Sequence, residues 1–115
     1  MIKTPPPAPQ PLAAHELHEA LAELPGWALV RAKSQSALAR RVLCAGFPEA
    51  MALVNAVADI AERLDHHPDL RIEFNRITFT LSSHDAGGVT RRDLKLAREI
   101  DAAAQAAGAR ALEAE

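Results

Sequence analysis

The amino-acid sequence predicts an α+β domain in which a four-stranded antiparallel sheet carries three helices on one face. Apolar residues recur at helical spacing in three segments, and they alternate with polar residues in four short segments that lie in pairs between the helices. Turn-forming residues separate the members of each pair. The resulting order, α-β-β-α-β-β-α, is typical of an antiparallel sheet covered on one side by helices.

The N-terminal third predicts a tail, a helix and a hairpin. Prolines are dense in residues 1–11, and we expect a disordered tail there. Leucines at helical spacing predict a first helix over 12–24, closed by Pro25-Gly26. Two strands, 27–31 and 37–44, should follow, with the polar turn 33–36 between them. A single domain over 12–108 is expected, and the alanine-rich end at 109–115 should fray.

The central helix predicts self-association. Pro48 suits the first turn of a helix, and no residue breaks the helical pattern before His66. The polar stripe of this helix is limited to Asn55, Asp59, Glu62 and His66. One face of a small sheet cannot cover so wide an apolar arc, so part of it should contact another copy of the chain. We therefore expect a homodimer or a homotetramer.

The C-terminal half predicts a second hairpin and a last helix. Alternation over 70–74 and 77–82, joined at Asn75-Arg76, gives two strands, with Phe74 and Phe79 expected in the core. A glycine-containing turn follows at 85–88. Thr90, with Asp93 three residues later, resembles a capping box that opens the last helix. The predicted inner stripe of that helix is Leu94, Ala97, Ile100 and Ala104.

Composition excludes several classes of function. A formal net charge of -2 and an isoelectric point near 6.2 give no electrostatic signal for nucleic acid or an anionic membrane. No apolar run approaches the length of a membrane span, and the N-terminus lacks a secretory signal. We expect a soluble, cytoplasmic protein. Cys44 is the single cysteine, which rules out an internal disulfide, and its apolar neighbours indicate packing rather than nucleophilic chemistry.

Three of the five histidines lie between residues 62 and 93, an arrangement that indicates proton transfer. His66 should fall in the last turn of the long helix, where the helix dipole favours a cation. Glu62, four residues earlier, is spaced to orient that imidazole. Pro68 should turn His67 away from its neighbour. His84 ends the second hairpin, so all three rings are expected around one pocket.

Simpler interpretations exist for each of these residues. His66 could merely cap a helix C-terminus, with Glu62 as an ordinary surface partner. Asp93 has a strong structural explanation as the capping-box acid, which we rate above a catalytic role. A zinc site is disfavoured because His66 and His67 diverge at the proline and the usual one-turn ligand pairing is missing, so no metal is expected. No serine or cysteine has the surroundings of a nucleophile.

This pattern of residues is similar to the pterin-4a-carbinolamine dehydratase family. Trp27 after the first helix, residues 54–58 and residues 83–90 also fit, so the resemblance runs from about residue 17 to 103. Many family members carry a tryptophan where this chain has Leu70. The residues that carry the family spacing are Glu62, His66-His67-Pro68, Phe74, His84 and Asp93.

The resemblance implies an enzyme that removes water from 4a-hydroxytetrahydropterin in pterin cofactor recycling, without a metal or redox cofactor. It implies His66, His67 and His84 as catalytic imidazoles, assisted by Glu62. We expect His66, oriented by Glu62, and His84 to be the proton-transfer partners, with His67 holding the ring. The candidate substrate-binding residues are Trp27, Pro68, Ser83, Arg92 and Asp93.

Two other functions remain open from the sequence. The apolar long helix could dock a helix of another protein, which would make the chain a regulatory, coactivator-like oligomer. The acid–base residues would be unnecessary for that role. The chain could also dehydrate a different pterin.

Overall fold

The computed structural model describes residues 9–112 and has the predicted α+β architecture. Residues 1–8 of the predicted tail and 113–115 of the predicted frayed end lie outside the described range. None of the helices within that range is long and apolar enough to cross a membrane. The elements are α1 (Ala14–Ala22), β1 (Ala28–Ala32), β2 (Gln35–Leu43), α2 (Phe47–Leu64), β3 (Asp69–Glu73), β4 (Arg76–Leu81), α3 (Arg91–Ala106) and β5 (Arg110–Leu112).

The strands form one antiparallel sheet in the order β1-β2-β4-β3, which confirms the predicted fold class. The structure adds a short fifth strand, β5, which pairs with the end of β2. This strand lies beyond Gly108, where the sequence predicts a frayed end. Its three residues carry no alternation long enough to reveal a strand, and β2 supplies the hydrogen-bonding edge that holds them.

The sheet has one face covered by helices and one polar face. Residues directly opposite each other in adjacent strands share a face, so Leu38 and Leu81, and Val42 and Ile77, point together toward the helices. All four side chains are fully buried. Phe79 is also fully buried on this face, as predicted. The opposite face carries threonines, arginines and small residues, and within residues 9–112 no helix covers it.

Helix α2 presents one narrow stripe to the core. The stripe is narrower than the apolar arc in the sequence, because the alanines at 52, 56 and 58 are exposed. Helix α3 packs beside α2 and buries the stripe predicted for it. Cys44 is buried just before α2, and burial, with a smaller effect of the Glu49 carboxylate, raises the pKa of its thiol. The buried residues of α2 are Ala50, Leu53, Val57 and Ala61.

The prediction that Phe74 belongs to the core is wrong. Strand β3 ends at Glu73, and Phe74 lies in the tight turn before Arg76 with a φ of 56°. Its side chain is 68% exposed. The alternating pattern continues through Phe74 in the sequence, but the register pair Glu73–Arg76 closes the hairpin one residue earlier. A side chain in the turn has no neighbouring strand to pack against.

Helix α2 ends two residues before the predicted end. Its last helical residue is Leu64, and Asp65 adopts the left-handed conformation with φ 51° and ψ 42°. The amide of His66 then donates to the Ala61 carbonyl at 3.1 Å, and the amide of Asp65 donates to Glu62 at 3.3 Å. These two bonds form a Schellman motif, which reverses the chain. His66 therefore lies outside the helix and is turned into the protein.

Candidate active site

A fully buried carboxylate, Asp93, is the centre of the candidate site. Its Oδ1 lies 2.6 Å from Nε2 of His66. Its Oδ2 accepts a hydrogen bond from the hydroxyl of Ser83 at 2.9 Å and another from the amide of Thr90 at 2.8 Å. Asp93 is 0% exposed and His66 is 8% exposed. A charged group taken out of water in this way is stabilised only when its oxygens are satisfied, and here both are.

The local sequence explains why Asp93 points inward. Thr90 is the N-cap of α3 and Asp93 is the third helical residue, so its carboxylate reaches back to the cap amide. The predicted capping box is thus confirmed. The same carboxylate also binds His66, which comes from a segment 27 residues away in the chain. Asp93 therefore both opens a helix and orients an imidazole.

The hydrogen bonds around Asp93 define which nitrogen of His66 carries a proton. The amide of Arg92 donates to the Thr90 hydroxyl at 3.2 Å, and the Thr90 and Ser83 hydroxyls lie 2.8 Å apart. Since the Ser83 hydroxyl donates to Asp93, the Thr90 hydroxyl must donate to Ser83. A carboxylate offers only acceptors, so Nε2 of His66 is the donor to Asp93. The other ring nitrogen, Nδ1, is left to accept a proton.

The predicted pairing of Glu62 with His66 is wrong, because Glu62 pairs with His67. Nε2 of His67 and a carboxylate oxygen of Glu62 are in hydrogen-bonding contact, and both side chains are exposed. The expected spacing assumed a helix that continues to His66. Since the chain reverses at Asp65, the next imidazole that can approach Glu62 is that of His67.

His84 lies in an exposed turn that follows Ser83. The turn is closed by two backbone hydrogen bonds between Ser83 and Gly88, at 3.0 and 3.2 Å. Arg92 and Asp85 form an ion pair across it. The hydrogen bond from Arg92 lowers the pKa of the Asp85 carboxyl, and the positive charge of Arg92 acts in the same direction, as does that of His66 when its ring is protonated. The turn thus lies within electrostatic reach of His66.

The structure ties the two histidine-bearing segments together through Asp93. One carboxylate oxygen binds His66, and the other binds Ser83. The two exposed histidines, His67 and His84, directly follow these two buried residues in the sequence. On each of the two segments, an exposed imidazole therefore follows directly after a residue that is hydrogen-bonded to Asp93, and imidazoles are the side chains suited to proton transfer near neutral pH.

Other candidate residues take different positions. Trp27 is buried, and its indole donates to Asp101 of α3 at 2.8 Å. Asp101 comes eight residues after Asp93, roughly 12 Å along the helix. Trp27 is therefore held two turns of α3 away from Asp93, where it packs in the core. Pro68 is half-buried next to His67.

Comparison with known proteins identifies the family. The model of the family described as "Pterin 4 alpha carbinolamine dehydratase" matches residues 10–103 of the chain. The chain belongs to this family. A protein of Nocardia farcinica named "Putative pterin-4-alpha-carbinolamine dehydratase" is 47% identical over 90 residues, 78% of this chain and 90% of that protein. A protein of the same name from Koribacter versatilis is 48% identical over 86 residues, 75% of this chain and 87% of that protein.

Two solved structures have a similar fold. A protein titled transcriptional coactivator/pterin dehydratase from Brucella melitensis superposes with a TM-score of 0.75 at 36% identity, covering 83% of this chain and 99% of that chain. A pterin dehydratase-like protein, titled a RuBisCO assembly factor in the alpha-carboxysome, superposes with a TM-score of 0.58 at 20% identity. It covers 69% of this chain and 89% of that chain, and at this identity the likeness concerns the fold alone.

In this member of the family, sequence reasoning missed the hydroxyl network behind His66. Ser83 is 1% exposed, and its hydroxyl is engaged by Thr90 and Asp93. Ser83 thus supports the carboxylate from inside the protein. The capping-box spacing predicts that the Asp93 carboxylate turns back toward Thr90. No pattern of nearby residues predicts that the same carboxylate also forms a hydrogen bond with His66. Within residues 9–112, no group of three or more His, Cys, Asp or Glu side chains is arranged to hold a metal ion.

Removing the Arg92 guanidinium should raise the pKa of Asp85. In Arg92→Met the carboxyl loses the hydrogen bond that lowers its pKa, so it should titrate closer to its ordinary value of 3.8. Because the folded-state pKa is depressed, the pair's contribution to stability is present above 3.8 and is lost as the pH falls through the folded-state pKa. Carbon-13 NMR titration of the Asp85 carboxyl would measure the shift. An unchanged pKa in the variant would contradict the assigned cause.

Proposed function

We propose that this chain dehydrates 4a-hydroxytetrahydropterin to the quinonoid dihydropterin by histidine general acid–base catalysis, as part of pterin cofactor recycling in the cytoplasm. Membership of the dehydratase family supports the reaction class. The observation that carries the proposal is the buried hydrogen bond between Nε2 of His66 and Asp93. It fixes one imidazole and leaves the other nitrogen of its neutral ring as a proton acceptor.

The reaction needs only proton transfers. A ring nitrogen loses its proton to a base, and the electron pair left behind forms a double bond to C4a as the bond between C4a and the hydroxyl oxygen breaks. That oxygen takes a proton from an acid and leaves as water. No electrons are exchanged with another reactant, so two positioned acid–base groups are sufficient.

His66 is assigned as the base and His84 as the acid. Nδ1 of His66 accepts the ring-nitrogen proton, and Asp93 stabilises the imidazolium that forms, since it is hydrogen-bonded to the opposite nitrogen. His84 is exposed in its turn, and its imidazole has no hydrogen-bond partner among the described residues, so it can donate to the leaving oxygen. His67, held by Glu62, contacts the pterin ring. The imidazole of His66 is thus oriented by Asp93 and not, as the sequence predicted, by Glu62.

The direct test uses the purified chain and enzymatically generated 4a-carbinolamine. Stopped-flow absorbance should show that micromolar protein accelerates the decay of the carbinolamine well above its spontaneous rate. A decay rate that does not change with protein concentration would refute the proposed reaction. Running the assay with carbinolamines that differ in the pterin side chain identifies the preferred substrate. It also tests the alternative hypothesis that the chain dehydrates a different pterin.

Self-association is part of this proposal. Helix α2 leaves Ala52 and Ala56 exposed, and Phe47 at its start is 48% exposed. Strand β3 lies at the edge of the sheet, where Leu70 is 39% exposed. An exposed apolar helix face and an open strand edge are typical surfaces for pairing with another copy.

Light scattering at micromolar concentration should therefore report a dimer or a tetramer of the 12.3 kDa chain. Ala56→Glu, which places a charge on the exposed face of α2, should shift the mass toward that of the single chain. Ala102→Glu, an equivalent change on an exposed position of α3, serves as the control and should leave the mass unchanged. A wild-type mass of one chain would contradict the prediction.

A regulatory role is the second candidate. The Brucella melitensis structure is titled both coactivator and dehydratase, and the same exposed face of α2 could bind a helix of another protein. The two functions separate experimentally, because binding would survive substitution of His66 whereas dehydration would not. Absence of turnover in the wild-type chain, together with a stable complex lost in Ala56→Glu, would favour the regulatory role.

A further inference from the structure

The start of strand β2 contacts both arms of the turn that carries His84. On the arm before His84, the hydroxyl of Ser82 donates to the backbone carbonyl of Ser36 at 2.7 Å. On the arm after it, the amide of Val89 donates to the hydroxyl of Ser36 at 3.1 Å. One residue of β2 therefore binds the chain on each side of the turn. The dehydration mechanism assigns no role to this residue.

The contacts of Val89 fix the arm that follows His84. The Val89 side chain is 1% exposed, and its carbonyl accepts a hydrogen bond from the Leu12 amide at 2.9 Å. Its amide is bound by the Ser36 hydroxyl. Backbone polar groups of buried residues are rarely left without a partner, because they are stable away from water only when they are hydrogen-bonded. The Ser36 hydroxyl thus supplies the one contact that ties this arm to β2 through its amide.

Gly88 shows how closely the same arm approaches Ser36. A Cβ atom on Gly88 would lie 2.6 Å from Oγ of Ser36, which is far shorter than an ordinary van der Waals contact. Gly88 does not adopt a positive φ, unlike its neighbour Gly87. Its backbone conformation would therefore accept an alanine, and it is the space beside the Ser36 hydroxyl that requires a glycine.

We propose that Ser36 is a positioning residue for the His84 imidazole, a role that rests on the proposed dehydration, in which His84 protonates the leaving oxygen. The imidazole has no hydrogen-bond partner among residues 9–112, so the backbone of the turn determines where the ring lies. Ser36 holds that backbone on one side, and Ser83, bound to Asp93, holds it on the other. An acid held in place before the substrate arrives loses less entropy in reaching the transition state.

A double-mutant cycle between Ser36 and His84 tests this role in the full chain. Ser36→Ala removes the acceptor of the Val89 amide and should lower the single-turnover rate constant of dehydration about tenfold. In a His84→Ala background the same substitution should have no further effect, because Ser36 acts through the imidazole alone. Equal losses in both backgrounds would show a general structural effect and overturn the proposal. A wild-type rate in Ser36→Ala would overturn it as well.

A second cycle uses the close approach at Gly88 and has a readout that does not depend on activity. Ser36→Ala and Gly88→Ala should each speed up hydrogen exchange of the Val89 amide by about tenfold, since each breaks its bond to the Ser36 hydroxyl. In the double variant the new methyl group would lie 3.9 Å from Cβ of residue 36, an ordinary contact. Adding Gly88→Ala to Ser36→Ala should therefore change neither the exchange rate nor the dehydration rate further.

Gln35→Ala is the matched control. Gln35 precedes Ser36, and its amide donates to the Ser82 hydroxyl at 2.6 Å. The variant thus loses a side-chain hydrogen bond at the same end of β2 but keeps the Val89 amide bonded, so its exchange and dehydration rates should equal those of wild type. Losses equal to those of Ser36→Ala would overturn the proposal. Unchanged Val89 exchange in Ser36→Ala would refute the positioning role alone, whereas an inactive wild-type chain would refute the proposed function and this role with it.

Discussion

Replacing His66 with alanine should lower the rate constant of carbinolamine dehydration by about 10²–10⁴, the contribution typical of a positioned acid–base group. His66 is the one imidazole whose tautomer is fixed by a buried carboxylate, so Nδ1 is presented as an acceptor without further adjustment. Stopped-flow absorbance under single-turnover conditions would measure this rate separately from product release. The loss should appear in the chemical step.

A second variant separates chemistry from folding. In His66→Ala, Asp93 loses a partner inside the protein, which should cost on the order of 1–3 kcal/mol of unfolding free energy. In His66→Gln, the side-chain amide can still donate to Asp93 but cannot accept a proton as a base. Both variants should lose activity while retaining wild-type circular dichroism, and His15→Ala, an exposed histidine on α1, should stay fully active. A folded His66→Gln protein with the wild-type rate would remove His66 from the mechanism.

Asp93→Asn should lower the same rate constant by about 10² or more, because it reverses the His66 tautomer. The Thr90 amide and the Ser83 hydroxyl both donate to Oδ2 of Asp93, so an asparagine would turn its carbonyl oxygen toward them. The amide NH₂ group would then face Nε2 of His66 and require it to be an acceptor. Nδ1 would carry the proton in the neutral ring and could no longer serve as the base.

Nitrogen-15 NMR of the imidazole distinguishes this effect from simple destabilisation. The wild-type spectrum should show the proton on Nε2 of His66, and the Asp93→Asn spectrum should show it on Nδ1. Asp101→Asn makes the same change on the same helix, at a carboxylate that binds Trp27 and Arg40. It should lower stability without moving the His66 proton. If Asp93→Asn leaves the tautomer unchanged but destroys activity, the orienting role of Asp93 is wrong.

Periodicity and capping were sufficient to predict most of the fold. The inner stripe of α3 and the Thr90–Asp93 capping box depend on residues within a few positions of each other, and the structure contains both. The order of the three helices and of strands β1 to β4 follows from helical periodicity and alternation, whereas β5 was not predicted. The end of α2 could not be predicted, since the left-handed residue there is Asp65 rather than a glycine. Pro68 indicates that the helix must stop, but it does not indicate at which residue.

The candidate site depends on contacts that local spacing cannot reveal. Glu62 and His66 are four residues apart, and this spacing predicts a contact only if the helix continues through both residues. The actual partner of His66 lies 27 residues further on, and it reaches the imidazole because α3 starts beside the end of α2. Phe74 illustrates the same limit, because an alternating pattern does not show where a strand gives way to its turn.

The left-handed conformation of Asp65 imposes a constraint on chain length. It turns one histidine inward and leaves the next in water, and these two residues are adjacent. One extra residue between α2 and Pro68 would shift both histidines, so that the buried position of the His66 imidazole would no longer be occupied by His66. Surface connections elsewhere usually accept insertions at little cost. The four-residue connection 65–68 is therefore a place where the chain has little freedom to lengthen.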